Sequence, residues 1–423
     1  MNKKALKTLE YNKIIELLVD CADSQMGKNR CQALLPSTDL EEIRRNQKET
    51  SDALSYLLQK GSISFSGLKD ITPSLMRLDV GSTLSITELL NVSSLLNVAL
   101  RVKAYSRKEN TEEGEEIVAD SLSNRFSYLE PLTNLNNEIK RCILSEEEIS
   151  DEASTGLKEV RRSVKITNQR IHEQLNNMLN SSTTRTMLQE NIITTRNGRY
   201  CLPVKAEYKA SFSGMVHDQS SSGSTLFIEP LSVVKLNNEL RELAIKEQEE
   251  IEKILAELSN LTALEVDALR TNVSILAELD FIFAKAALSK KLKATEPVFN
   301  TKGYLKIKKG KHPLIDPHKV VPIDVELGKS FDLLVITGPN TGGKTVTLKT
   351  VGLFTLMGQA GLHIPAFDQS ELSVFTDVFA DIGDEQSIEQ SLSTFSSHMT
   401  NTVSILEHAT PTSLCLFDEL GAG

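Results

Sequence analysis

The chain has 423 residues, 40% hydrophobic and 25% charged, an ordinary globular balance with room for two or three domains. Its net charge of −10 excludes a global electrostatic attraction to nucleic acid, so any such contact needs a local basic face. Five scattered cysteines (Cys21, Cys31, Cys142, Cys201, Cys415) lack metal-ligand spacing, no apolar run is long enough to span a membrane, and Met1-Asn-Lys-Lys-Ala leads into a helix without a signal-peptide core. The expectation is a cytoplasmic protein with reduced thiols and no membrane partner.

Residues 1–153 read as a helical core. Leu9, Ile14, Ile15, Leu17 and Leu18 mark one amphipathic helix, Leu54, Leu57 and Leu58 a second, and Leu89 to Val98 a strongly apolar third. Ser85 and Glu88 form a capping box ahead of that third helix. The acidic run Glu112–Glu116 suits a solvated loop, and Ile143–Ile149 a short segment with a turn.

Residues 154–270 read as an arm. A polar-rich helix is expected from about Ser154 to Asn180, and a second from about Val233 to Arg270 with an incomplete coiled-coil pattern. Between them, Arg199–Val204, Gly214–His217 and Ser224–Ile228 carry strand signals separated by Ser/Gly turns. Helix, small β insert, helix predicts an antiparallel pair with a β-rich tip at about 185–230. The tip holds Arg185, Arg196, Arg199, Lys205 and Lys209, which could contact phosphate, though such a cluster is usually solvated surface. His217, Asp218 and the nearby serines are too adjacent for a catalytic triad, and Phe227 suits packing. Residues 271–303 return to apolar helix, and 304–423 form a nucleotide domain.

That last assignment rests on Gly338, Pro339, Asn340, Thr341, Gly342, Gly343, Lys344 and Thr345, which fit the phosphate-cradling P-loop. A strand-like run, Leu333–Ile336, precedes the loop, and Val346–Met357 reads as the helix after it. Lys344 would reach the β- and γ-phosphates of ATP, and Thr345 would bind Mg²⁺. Leu414–Phe417 suits a central parallel strand ending in Asp418 and Glu419, a Walker B pair in which Asp418 holds Mg²⁺ and Glu419 orients or deprotonates water. Between the two elements lie Asp381–Ser387 and a hydroxyl-rich stretch at Ser391–Ser397. Its spacing favours helix capping over contact with a γ-phosphate. His363 and His398 read as structural. An α/β ATPase sheet needs more strands than these, so the chain reads as an N-terminal portion.

Taken in order, Thr337–Thr345, Asp381–Ser387, Leu392–Phe395 and Phe417–Gly423 resemble the MutS family of ABC-type ATPases. Arg196–Tyr200, Pro203–Tyr208, Val216–Ser220, Thr225–Pro230 and the opening Thr8–Tyr11 are similar to its second bacterial branch, MutS-two. The resemblance spans the whole chain. It implies a multidomain α + α/β protein in which a helical core and a long antiparallel lever arm with a clamp tip precede a truncated P-loop ATPase domain. It further implies a homodimer with composite ATP sites, where Ser393 faces the partner's γ-phosphate while Asn340 and Lys344 hold their own. The implied ligands are branched DNA or collided ribosomes, and the implied nuclease belongs to a C-terminal Smr domain. No Phe-x-Glu stands near the start, as expected of a branch without the mismatch-reading domain. Pro317–Ile323 lacks the aromatic that packs on adenine in mismatch-repair relatives, leaving Val320 as the candidate. The fragment alone is expected to hydrolyse ATP poorly and cut nothing. A mismatch-repair MutS without its N-terminal domains and a non-hydrolysing scaffold are the alternatives. The short gap between the Walker elements argues against an SMC-type ATPase.

Overall fold

The computed structural model describes residues 2–106, 120–339, 342–383 and 391–418, without the side chains of 391–398. It is a mixture of helix and sheet. The helices of the first third are α1 (Lys3–Thr8), α2 (Tyr11–Val19), α3 (Gln25–Gln32), α4 (Leu40–Gln59), α5 (Thr72–Asp79), α6 (Ile86–Ser106), α7 (Ser123–Tyr128) and α8 (Thr133–Cys142). The hairpin β1 (Ile143–Ser145) and β2 (Glu148–Ile149) then leads to α9 (Thr155–Asn180) and α10 (Ser182–Met187). Four strands follow: β3 (Thr194–Arg196), β4 (Arg199–Lys205), β5 (Gly214–Gln219) and β6 (Thr225–Pro230). Next come α11 (Leu231–Ala263), α12 (Val266–Leu292), β7 (Val298–Asn300), β8 (Leu305–Gly310) and β9 (Ile323–Leu327). The remainder is α13 (Lys344–Gln359), β10 (Glu371–Ser373), β11 (Asp377–Asp381), α14 (Ser391–His408) and β12 (Ser413–Phe417).

Contacts divide the chain into two compact units, 1–72 with 94–131 and 267–423, and 73–93 with 132–266. In the second unit α9 and α11 run antiparallel, because Ser154 meets Glu250, Arg161 meets Glu247 and Thr167 meets Glu239. The Ser154 hydroxyl caps α9 by accepting from Leu157 N–H at 3.0 Å. At ~1.5 Å per residue the two helices reach about 39 and 50 Å. The second is shorter than its hydrophobic pattern suggests. It stops at Ala263, and after a break at Leu264–Glu265 the chain restarts as α12, nine residues ahead of the apolar stretch at Ile275.

Between α9 and α11 sits an antiparallel sheet in the order β3-β4-β6-β5. Its inward residues Leu202, Val204, Leu226 and Ile228 pack with Ile171, Leu175 and Val233 of the helices. Beside this apolar cluster lies Glu229, with 0% exposure. An isolated buried carboxylate is untenable, and this one is matched by Arg199 (2.7 and 3.0 Å), His217 (2.5 Å) and the Asn237 amide (2.7 Å).

In the first unit the core gathers around α13. Its segment Leu353–Met357 is buried against Leu305 and Ile307 of β8, Leu414 and Leu416 of β12, and Leu9 and Ile14 of α1–α2. Each such apolar side chain contributes about 1.5–3 kcal/mol. The sheet β7-β10-β8-β9 flanks it, and β11 and β12 form a separate parallel pair in register from Asp377↔Ser413 to Asp381↔Phe417. Leu333–Ile336, expected as a buried strand, joins no ladder among the described residues, and Leu333 and Val335 are 78% and 72% exposed. A parallel strand is made by its neighbours, and none of the described strands pairs with this segment.

His363 is indeed a structural histidine, buried between Ser289 (2.7 Å) and Ser51 (3.0 Å). Burial holds its imidazole down at about 4, below the ordinary 6.5. The folded chain therefore resists protonation that the unfolded chain accepts, and the stability from neutral His363 is lost as pH falls from about 6.5 to about 4. Denaturant unfolding across that window should show a decline of up to about 3 kcal/mol from this group, and His363→Gln should flatten the slope.

Candidate nucleotide site and basic tip

The helix α13 is rich in threonine and valine, which are poor helix formers. Three of its hydroxyls are satisfied within the helix: Thr347, Thr350 and Thr355 donate to the carbonyls of Gly343, Val346 and Val351 at 3.0, 2.6 and 3.0 Å. With its polar groups paired, α13 can lie in the core, and Gly352 lets it approach β12. A Cβ at Gly352 would fall 2.6 Å from Leu416 and 2.7 Å from Leu9. Burial thus fixes where the first turn of α13 points.

That turn begins at Gly343, whose φ of 79° glycine adopts without strain and which offers no side-chain cap. The first N–H groups of the helix and its positive dipole end are therefore left for an anion. Among the described residues, a Cβ placed on Gly338 or Gly343 would meet nothing within 4 Å. Lys344 folds back over it, its ammonium donating to Gly338 O at 2.9 Å. Gly342 N–H donates to Pro339 O at 2.9 Å and closes the turn. Asn340 and Thr341 lie outside the described residues.

Thr345 Oγ1 donates to Asp418 Oδ2 at 2.5 Å. The start of α13 and the end of β12, 73 residues apart, thus meet as the Walker pairing requires. A hydroxyl and a carboxylate side by side are hard oxygen donors of the kind Mg²⁺ takes, one or two from protein and the rest from water and phosphate. Glu419 and the Ser393 side chain lie outside the described residues. Val320 is half-exposed in the turn before β9.

Asn401 and Thr402 were missed in the sequence, and Asp381 was noted there only as the start of Asp381–Ser387, without a role. Asp381 ends β11 beside Asp418, and Asn401 and Thr402 of α14 bond to its carboxylate. One signal was available, since the run Val378–Ala380 ends in an aspartate just as Leu414–Phe417 does.

The basic residues of the tip divide. Arg199 is committed to Glu229 and to Asn238 Oδ1 at 2.5 Å. Arg196 lies 3.9 Å above the Phe227 ring, so this phenylalanine carries a cation–π contact, and it also pairs with Asp218 at 3.2 Å. Lys205 donates to Thr186 O at 3.2 Å, while Arg185 and Lys209 are exposed.

Gly352→Ala tests the close approach that aims α13. It should destabilise the protein by about 1–3 kcal/mol in chemical denaturation, as overpacking does. An unchanged midpoint would mean that the helix does not press on β12.

Comparison with known proteins bears on both regions. MutS domain V matches residues 334–423. Proteins named Endonuclease MutS2 match along the entire chain: 66% identity in Lachnoclostridium phytofermentans, 61% in Agathobacter rectalis and 57% in Lachnospira eligens. The alignments cover 100% of this chain and 53% of each of those proteins, so the chain spans about half the length of the relatives it matches. The chain belongs to the MutS family, in its MutS2 branch.

Proposed function

We propose that this chain is the core of an ATP-dependent, homodimeric nucleic-acid clamp of the MutS2 type. The observation that carries this reading is the Thr345–Asp418 contact at the N-terminus of α13. The loop Gly338–Thr345 would bind the phosphates of ATP, with the α13 amides and Lys344 as donors. Thr345 and Asp418 would hold Mg²⁺, which when bound neutralises phosphate charge. Glu419 would orient or deprotonate water, and Ser393 would act on the partner's nucleotide. Residues 304–423 would form the ATPase domain, and 1–153 with 271–303 the helical core. Within 154–270, the antiparallel pair α9 and α11 would form a lever whose β tip closes on branched DNA or on ribosomal RNA of a collided ribosome. Nuclease activity would belong to a Smr domain of the whole protein. No described helix is long and apolar enough to cross a membrane, in keeping with a cytoplasmic protein.

Lys344→Ala in the full-length protein should abolish ATP hydrolysis and weaken binding of a fluorescent ATP analogue at least about tenfold, since the lysine meets two phosphates. Hydrolysis at the wild-type rate would reject the nucleotide reading.

At the tip, the exposed side chains are the better phosphate contacts. Arg185→Glu with Lys209→Glu should weaken binding to branched DNA and lower the slope of log affinity against log salt by ~2. Arg199→Met should instead lower stability by about 3–5 kcal/mol, because it takes the guanidinium from a buried carboxylate. The reverse pattern would move the contact face to Arg199.

A further inference from the structure

Both parallel strands end at an aspartate, and the two side chains have different partners. Asp418, just past β12, bonds to Thr345. Asp381, the last residue of β11, is 8% exposed, and its carboxylate accepts from Asn401 Nδ2 at 2.9 Å and from Thr402 Oγ1 at 3.3 Å. Its main-chain carbonyl accepts the Asp418 N–H at 2.9 Å. One residue therefore holds the backbone of Asp418 and the flank of α14 together.

We propose that Asp381 is a positioning residue of the nucleotide site, fixing α14 to the strand end that carries Asp418; this rests on the nucleotide reading above. It does not touch the phosphates in this account. Simple packing would not call for a carboxylate here, since Val378, Phe379 and Ala380 on the same strand are already buried. Burying a charge is costly, and hydrogen bonds offset that cost only with good geometry. Such bonds specify a position along the strand, which apolar contact does not. A shift of Asp418 on Mg²⁺ and phosphate is then passed through the Asp381 peptide to α14, whose first residues include Ser393. The tie sets where the helix start stands relative to Asp418.

The test is a polarity swap in the full-length protein, read by steady-state ATP hydrolysis and by binding of a fluorescent ATP analogue. Asn401→Asp sets two carboxylates face to face. It should lower kcat about tenfold or more, as misplacement of a catalytic group does, with ATP affinity within about threefold of wild type because the P-loop is intact. Adding Asp381→Asn to that variant restores a donor–acceptor pair with reversed polarity and should return kcat to within about threefold of wild type. An unchanged kcat in Asn401→Asp overturns the proposal. So does a swap that restores thermal stability but not kcat. Wild-type protein that fails to bind ATP would sink the nucleotide reading and this inference with it, whereas normal wild-type turnover with a silent Asn401→Asp contradicts the inference alone.

Discussion

The short hydrogen bond from Thr345 to Asp418 is the contact on which the proposed nucleotide site depends. It brings a helix start and a strand end together, and neither can reach the other unless α13 lies flat against β12. That packing in turn needs Gly352 at the crossing and threonine hydroxyls turned back on their own helix. The proposed phosphate loop is thus placed by the burial of the helix behind it. The loop supplies backbone N–H groups, and the core supplies direction.

The other end of α13 is held as firmly, by polar groups. Gln47 of α4 donates to the carbonyls of Gly358 and Leu362 at 2.8 and 2.9 Å, and Thr50 donates to Gly361 O at 2.8 Å. The Gln359 amide donates to Ser37 O and Phe375 O, and its oxygen accepts the Phe375 N–H. Gly358 O belongs to the last turn of the helix, whose Gln359 O also accepts the Ser37 N–H at 2.9 Å, and the other bonds pair backbone groups beside the helix. Close by, Lys285 is buried with its ammonium 5.1 Å from the Phe281 ring, and burial lowers its pKa to about 8. α13 is thus tied at its start to Asp418 and at its end to α4.

Much of this was legible in the sequence because it follows from local pattern. The glycines and lysine of 338–345, the helix behind them and the apolar run before Asp418 are short signals with fixed spacing, and the α9–sheet–α11 order follows from a change of period. What escaped the reading depends on partners far apart in the chain. Leu333–Ile336 has the composition of a strand, yet a strand exists only through its neighbours. Arg199 looked like surface charge until Glu229, 30 residues on, took it inward. Asp381 and Asn401, 20 residues apart, leave no periodic trace of their bond. The early end of α11 was hidden for another reason, since the apolar spacing runs on through the break at Leu264–Glu265.

The most direct test of this account is the Mg²⁺ dependence of ATP affinity in the full-length protein, compared with a Thr345→Val variant that keeps the shape but not the hydroxyl. If Thr345 and Asp418 form the cation site, the wild type binds ATP more tightly with Mg²⁺ than without, and the variant loses that gain while keeping its Mg²⁺-free affinity. An equal Mg²⁺ effect in both proteins would contradict the account, because the cation would then be held without the contact from which the site was built.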